Sequence, residues 1–321
     1  MTSMNPEKDV KTLTSRREIL FLYDIRMGNP NGDPDENRPR VLPDGTFYVT
    51  DVRLKRFVRD FVNSQGKDIL VGNVEGRVSN LTGRVSDHLR KSRKAEANGR
   101  ELVDILLESF IDARWFGSSL AFKEDKGSAK LEPEPKTLTG AVQFNMGEVL
   151  HRAEEIRIQG TSLFASAEDK RAGTFTDFAA LRYGLIAFNG VANEHSAKLS
   201  RMSDEDYDTL LEALWKGIRS AGNTRSKVGQ VPRLLVSIEY KPTVEYQFGN
   251  LLEYVKLRAR DGKPEEQWSS PEDYVLDIDR LVARLDLRKD KIEKIRFDVS
   301  PDIEFSDKGI LSSWESLGLD D

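Results

Sequence analysis

The sequence predicts an α+β fold. Three observations lead there: β-branched and aromatic runs at 18–26 and 234–241, helical apolar spacing at 51–61 and 203–220, and no internal repeat. With 321 residues, 38% of them apolar and 32% charged, the chain is long enough to bury a sizeable core in one large domain or two small ones.

Taken in order, EILFLYDIR (18–26) reads as a central strand. GNPNGDPDENRPR (28–40) follows, built only from Gly, Pro, Asn, Asp, Glu and Arg, a density of turn formers beyond what a simple connector needs. FYVT (47–50) gives a short strand, and Thr50 then caps a helix. Asp51 sits in its first turn, and Leu54, Phe57, Val58 and Phe61 form a buried stripe. Arg53, Arg56 and Arg59 recur every three residues on the other side, with Lys55 beside them. Residues 66–99 are polar and basic, including HLRKSRK (88–94). A second amphipathic helix is predicted from Glu101 to Arg114, and KEDKGSAKLEPEPK (123–136), almost without apolar residues, reads as an insertion.

TGAVQFNMGEVLH (139–151) is predicted as one strand. Residues 156–181 begin strand-like and pass into a polar, flexible loop, and RYGLIAFNGVAN (182–193) is another strand. SDEDYDTLLEALWKGIRS (203–220) is the clearest helix, with Ser203 and Asp206 close to a capping box and Tyr207, Leu210, Leu211, Leu214 and Ile218 on its buried face. GNTRSKVGQVPR (222–233) is a loop, and LLVSIEYK (234–241) a strand returning to the core. After Pro242 the pattern weakens into short mixed elements with an acidic tail. The order strand, helix, strand, strand, helix, strand is the βαββαβ arrangement of ferredoxin-like folds, interrupted after the first helix.

Composition excludes several chemistries. With no cysteine there is no disulfide, thiolate metal site or thiol nucleophile, and three histidines (His88, His151, His195) leave little for a histidine metal site. No Walker A loop, G-x-S-x-G elbow or H-E-x-x-H helix occurs. No apolar run reaches eighteen residues and MTSMNPEKDVKTLTS lacks the apolar core of a secretory signal, so the expected compartment is the cytoplasm, with no membrane partner. Net charge is −5, yet residues 51–100 hold twelve Lys/Arg against six Asp/Glu, while residues 261–321 hold nine against seventeen. That asymmetry suits a basic working surface on an otherwise acidic protein, or a merely solvated surface.

Two basic constellations offer phosphate contacts. Arg53, Arg56 and Arg59 lie within a turn of one another on a helix, and the alternative is an exposed face paired with Asp60 and its neighbours. NTRSKVGQ (223–230) offers Arg225 and Lys227 among Asn223, Thr224, Ser226 and Gln230, with Gly222 and Gly229 allowing close backbone approach. NGVANEHSAK (189–198) carries His195, which reads as a loop hydrogen bonder before it reads as a base. Asp24, Asp33 and Asp35 at the end of the first strand have the chemistry to hold Mg²⁺ for phosphodiester cleavage, but Asp beside Pro, Gly and Asn is also what turns require, and the turn reading is preferred.

Four segments carry a family resemblance: NPNGDPDENRPR with YVTDVRLKRFVRDFV; IRIQGTSLFAS with GTF; GLIAFNGVANEHSAK; and LLEALWKGIRSAGNTRSKVGQVPRLLVSIEY. In that order they resemble the backbone subunit of type I CRISPR Cascade surveillance complexes, in the RAMP superfamily, most like subtype I-B with subtype I-C next. The likeness spans about residues 16–241. It implies a modified RRM or ferredoxin-like palm, a helical fingers insertion at about 66–136, a thumb at about 156–181, a flexible N-terminus (1–15) and an acidic C-terminal extension (242–321) packing on the palm. It further implies a non-enzymatic scaffold, without cofactor or metal, that polymerises along CRISPR RNA and presents the guide to a target DNA strand. Its other expected partners are the 5′-handle-binding subunit, the large subunit and the small subunit. Carried over by position, Arg53, Lys55, Arg56 and Arg59 line the RNA groove, and Asn223, Arg225, Ser226 and Lys227 cradle phosphates. Arg38 and Arg40 reach RNA or the next subunit, and Gly160, Thr161, Phe164 and Phe175 belong to the thumb. Related type III subunits cleave RNA with an Asp after the first strand, which makes Asp33 the residue of the alternative, a metal-dependent ribonuclease.

Overall fold

A computed structural model describes residues 11–72, 80–123, 131–161, 175–222, 224–307 and 309–320. Strand β1 (Arg17–Gly28) is buried without interruption from Arg17 to Ile25, as expected of a strand covered on both faces. The following loop is cross-linked by a Gly32–Pro39 bridge and leads to β2 (Tyr48–Val49). Thr50 Oγ1 accepts the Arg53 N–H at 3.3 Å and starts α1 (Asp51–Ser64), which buries Leu54, Phe57, Val58 and Phe61.

The polar stretch at 66–99 contains a helix that the sequence reading did not assign, α2 (Leu81–Lys91), capped by Asn80. The helix predicted over 101–114 is two. α3 (Gly99–Ser109) stops at Phe110, whose backbone is extended, and α4 (Ile111–Phe116) restarts in a new direction. The break has a packing reason: α3 and Phe110 belong to one apolar core, whereas Ile111, Trp115 and Phe116 belong to another. β3 (Gly117–Ser119) and β4 (Thr137–Thr139) form a small separate ribbon. Gly140 lies against backbone there, since a Cβ on it would come 2.3 Å from the Gly117 nitrogen.

The strand predicted over 139–151 is also divided, into β5 (Val142–Phe144) and β6 (Gly147–Val149). Both pair with a long strand, and between them Asn145 uses its side-chain oxygen as well as its backbone N–H to bond Asn189. β7 (Glu155–Thr161) and the long β8 (Phe175–Ala192) are the arms of a hairpin, in register from Glu155↔Leu181 to Thr161↔Phe175. Asn193 caps α5 (Glu194–Ser200), a short helix in a segment read as loop. A complete Ser203–Asp206 capping box opens α6 (Asp204–Ser220), and β9 (Val231–Tyr240) returns beside β1. Downstream come β10 (Lys256–Ala259), β11 (Tyr274–Asp277), α7 (Asp279–Asp286), β12 (Ile292–Val299) and β13 (Glu315–Ser316).

The main sheet runs β13-β12-β9-β1-β8-β6-β2, with β5 and β7 also on β8. Both neighbours of β1 are antiparallel to it. Alternation along β1 sorts its side chains to two faces. Ile19, Phe21, Tyr23 and Ile25 pack with α1 and α6, while Leu20 and Leu22 join Tyr183, Leu185, Trp268, Tyr274, Leu276 and Leu281. The second face is therefore roofed by the chain after residue 240. A third core gathers Val85, Leu89, Leu102, Leu106 and Phe110 within the stretch between α1 and β5. Among the described residues, no helix is long and apolar enough to cross a membrane.

Candidate nucleic-acid interface

The C-terminal end of β1, the first turns of α1 and the loop before β9 meet at one place. The Asn29 N–H donates to the Ser226 carbonyl at 3.0 Å, and a Cβ on Gly229 would lie 3.5 Å from the Arg26 carbonyl, so the 224–230 loop lies along the end of the strand. Gly229 has φ +86°, a conformation natural to glycine. Lys227 reaches under this loop and donates from Nζ to the Asn29 carbonyl. Arg53 is half-buried, its guanidinium 4.3 Å over the Phe57 ring. Arg225 is exposed and lies 4.7 Å over the Phe178 ring on the hairpin arm.

Among the described residues, none of Arg26, Arg53, Arg225 and Lys227 forms an ion pair. Burial, reinforced by the charge of Arg53, pushes the Lys227 ammonium down to about 7. Burial also lowers the value for Arg53. Arg53 Nε, the Tyr23 hydroxyl, Asn29 Oδ1 and both side-chain atoms of Gln230 are buried without a hydrogen-bond partner among the described residues. A cluster of unpaired cations and open polar atoms at a strand end has the electrostatics to hold an anionic strand.

Other sequence-predicted residues sit elsewhere. Arg59 is buried, and its Nε donates to Asp112 at 2.8 Å. Lys55 pairs with Asp51 at 2.9 Å and Arg56 with Asp60 at 2.8 Å, the latter in solvent. Arg38 makes a two-pronged bond to Glu155 on β7, both arms at 2.9 Å. Arg40 Nε donates to the Gly32 carbonyl at 3.3 Å. Ser226 contributes its carbonyl to Asn29, and its hydroxyl lies 3.4 Å from that of Thr224. Gly160, Thr161 and Phe175 are on the paired arms of the β7–β8 hairpin. Phe164 and Asn223 lie outside the described residues.

The three carboxylates of the ribonuclease alternative do not converge. Asp24 is buried in the sheet, where Arg233 Nε donates to it at 2.8 Å and the Tyr183 hydroxyl at 2.9 Å. Asp33 closes the 28–40 loop instead: Oδ1 accepts the N–H groups of Glu36 and Asp35, and Oδ2 that of Arg38. Those backbone donors, Glu36 foremost, hold its carboxyl below the usual range. Among the described residues, no group of three or more metal-ligating side chains is found.

The family model described as CRISPR-associated protein Cas7 matches residues 15–279. The chain belongs to the Cas7 family. A curated Cas7 protein from Haloferax volcanii is 34% identical over 300 residues, covering 88% of this chain and 86% of that protein. Two solved structures share the fold at a TM-score of 0.53. One, from a CRISPR RNA-guided surveillance complex, is 13% identical and covers 94% of each chain. The other, from such a complex described as pre-nicking, is 12% identical and covers 94% of this chain and 96% of that one. Family membership agrees with the resemblance carried by the four sequence segments. Of the residues that meet here in this Cas7-family chain, the sequence singled out Arg53, Arg225, Lys227 and Gln230 but not Tyr23, inside a strand, or Asn29, one of many turn residues in the 28–40 stretch.

Proposed function

We propose that this Cas7-family chain is a CRISPR RNA-binding backbone subunit of a type I Cascade effector. It polymerises along the guide spacer in the cytoplasm, grips the phosphate backbone, and leaves bases free to pair with a target DNA strand. The observation that carries the reading is the set of cations without an ion pair among the described residues, Arg53, Arg225 and Lys227, gathered at one end of β1. Sequence is then read by base pairing and not by side chains, which suits a site made of cations, amides and backbone.

In this proposal the central strands β9-β1-β8 with β7 and β6, and α1 and α6 on one face, are read as a modified RRM or ferredoxin-like palm. An ordinary RRM stacks bases on its open sheet face. Here that face is roofed by the C-terminal chain, so the guide runs over the strand end and α1. In this reading α2 to α4 are the fingers, the β7–β8 hairpin carries the thumb, and the remaining partners are further copies and the handle-binding, large and small subunits. The chain acts as a scaffold and not as a nuclease.

The test is binding of single-stranded CRISPR RNA, followed by gel shift and particle imaging across a salt series. Regular filaments whose length tracks the RNA, with steep salt dependence, are expected. Arg225→Ala should lower the salt slope by about one unit without sequence preference. Assemblies that survive removal of all RNA, or Mg²⁺-dependent cutting of a complementary RNA that disappears in Asp33→Ala, would overturn the proposal.

A further inference from the structure

Residues 315–320 lie back across the molecule as a strap. β13 pairs with β12 at the sheet edge, the Leu317 N–H donates to the Phe297 carbonyl at 2.8 Å, and the Leu319 N–H donates to Asp298 Oδ2 at 2.6 Å. Gly318, at φ +63°, turns the chain between Leu317 and Leu319, and both leucines pack half-buried against the core that holds α6. Asp320 then meets α6 itself. Its Oδ1 accepts the indole N–H of the fully buried Trp215 at 2.8 Å, and Arg219 grips both oxygens, Nη1 on Oδ1 and Nη2 on Oδ2, the latter at 3.0 Å. The Arg219 bond holds the carboxyl below its ordinary range, so Asp320 is an anion near neutral pH. The carbonyl end of a helix repels anions, so the attraction comes from these side chains alone.

The corner that Asp320 fills stands on the rim of the cationic site. The Gly222 N–H donates to the Arg219 carbonyl at 3.3 Å, and Thr224 follows five residues after Arg219, within about 18 Å even if the chain were fully extended. Gly217 lies against α1, where a Cβ on it would come 3.0 Å from the carbonyl of Phe57, whose ring carries Arg53. A guanidinium takes a carboxylate or a phosphodiester by the same pair of parallel bonds. Resting on the RNA-binding reading of this face, we propose that residues 315–320 are an autoinhibitory strap, in which Asp320 occupies a Trp215–Arg219 anion site that an RNA phosphate takes when the strap lifts. Besides Asp320, the strap is held by a two-residue strand, the two N–H bonds and the two half-buried leucines, a set of contacts that opens without unfolding the sheet. RNA that reaches this corner must break the Asp320 contacts first, so the strap weakens binding without blocking it.

Gel-shift titration of single-stranded RNA with the whole chain tests this, together with hydrogen exchange of the RNA-free and RNA-bound protein. Asp320→Ala should bind about five- to tenfold more tightly, the gain expected from removing a two-pronged ion pair at a part-exposed site. Leu319→Ser, which loosens the strap but keeps its charge, should gain in the same direction. In an Arg219→Ala background Asp320→Ala should gain nothing, and Arg219→Ala should lower the RNA salt slope of the Asp320→Ala chain by about one unit. RNA should speed exchange at the Leu317 and Leu319 amides of the wild-type chain. Equal or weaker RNA binding by Asp320→Ala, an equal gain with Arg219 absent, or strap amides that RNA leaves protected overturns this inference alone. Failure of the wild-type chain and every variant to bind RNA overturns the RNA reading and this inference with it.

Discussion

Asp112 ties three parts of the chain together, and its removal should be costly. Its carboxylate accepts Arg59 Nε at 2.8 Å, the Leu70 N–H at 2.6 Å and the Val71 N–H at 3.1 Å, and it is fully buried. Asp112→Ala leaves Arg59, itself 8% exposed, as an uncompensated buried cation and strips two backbone donors. Removing one partner of a buried pair costs about 3–5 kcal/mol, and a lost acceptor about 1–3 kcal/mol for each donor left bare. These do not simply add, so about 4–5 kcal/mol is expected, against a domain stability of about 5–15 kcal/mol. Arg59→Met should cost less, about 2–3 kcal/mol, because Asp112 keeps its two backbone donors. The double variant should fall short of the sum by about 2 kcal/mol. Urea unfolding followed by tryptophan fluorescence, to which the buried Trp115 on the same short helix as Asp112 contributes, measures all three. An Asp112→Ala loss under about 1 kcal/mol, or strict additivity, refutes the account of the pair. The same Arg59→Met protein carries a functional readout. If Arg59 serves only Asp112, its RNA salt slope stays at the wild-type value, and a drop of about one unit would place Arg59 on the RNA.

Two further outcomes follow from local geometry. The Asp33 carboxyl is held low by backbone donors, so its contribution to the 28–40 loop is present above the ordinary carboxylate value and is lost as pH falls through its depressed folded value; Asp33→Asn should flatten the acid limb of a melting-temperature profile, and an unchanged limb would show the loop does not depend on that charge. Gly140→Ala should destabilise by about 1–3 kcal/mol, because a Cβ would meet the Gly117 nitrogen at 2.3 Å and backbone there cannot turn aside; a melting temperature equal to wild type would contradict that contact.

Sequence periodicity exposed the elements whose signals are local. Thr50 and the stripe from Leu54 to Phe61 marked α1, and Ser203 with Asp206 marked α6, because caps and helical spacing act within one turn. The break at Phe110 was illegible: it carries no Gly or Pro, and the apolar stripe continues through it into a second core. β12 was hidden because the adjacent Glu293 and Lys294 break the alternation of IEKIRF, where the pairing register also shifts, and because Arg296 is kept in the sheet by Glu239 of the neighbouring β9, 57 residues away in sequence. The same limit applies to the site. Arg53 and Lys227 stood out by composition, yet nothing local says that Glu155 occupies Arg38 or that Asp112 occupies Arg59, partners 117 and 53 residues away.

The placement of β1 also dictates an order of events during synthesis. Glu18 on β1 and Tyr240 on β9, hydrogen-bonded to each other across the finished sheet, are 222 residues apart. The strand on the other side, β8, is likewise about half the chain away, its pairs running from Gly28↔Leu181 to Arg17↔Ala192. At about 5–20 residues per second, β1 leaves the ribosome roughly 10–45 s before its last partner exists. Throughout that interval a strand apolar on both faces stands with two unsatisfied edges, the condition under which chains pair with one another instead of with themselves. Slow refolding from denaturant, with losses that grow with protein concentration, is the behaviour such long-range pairing imposes.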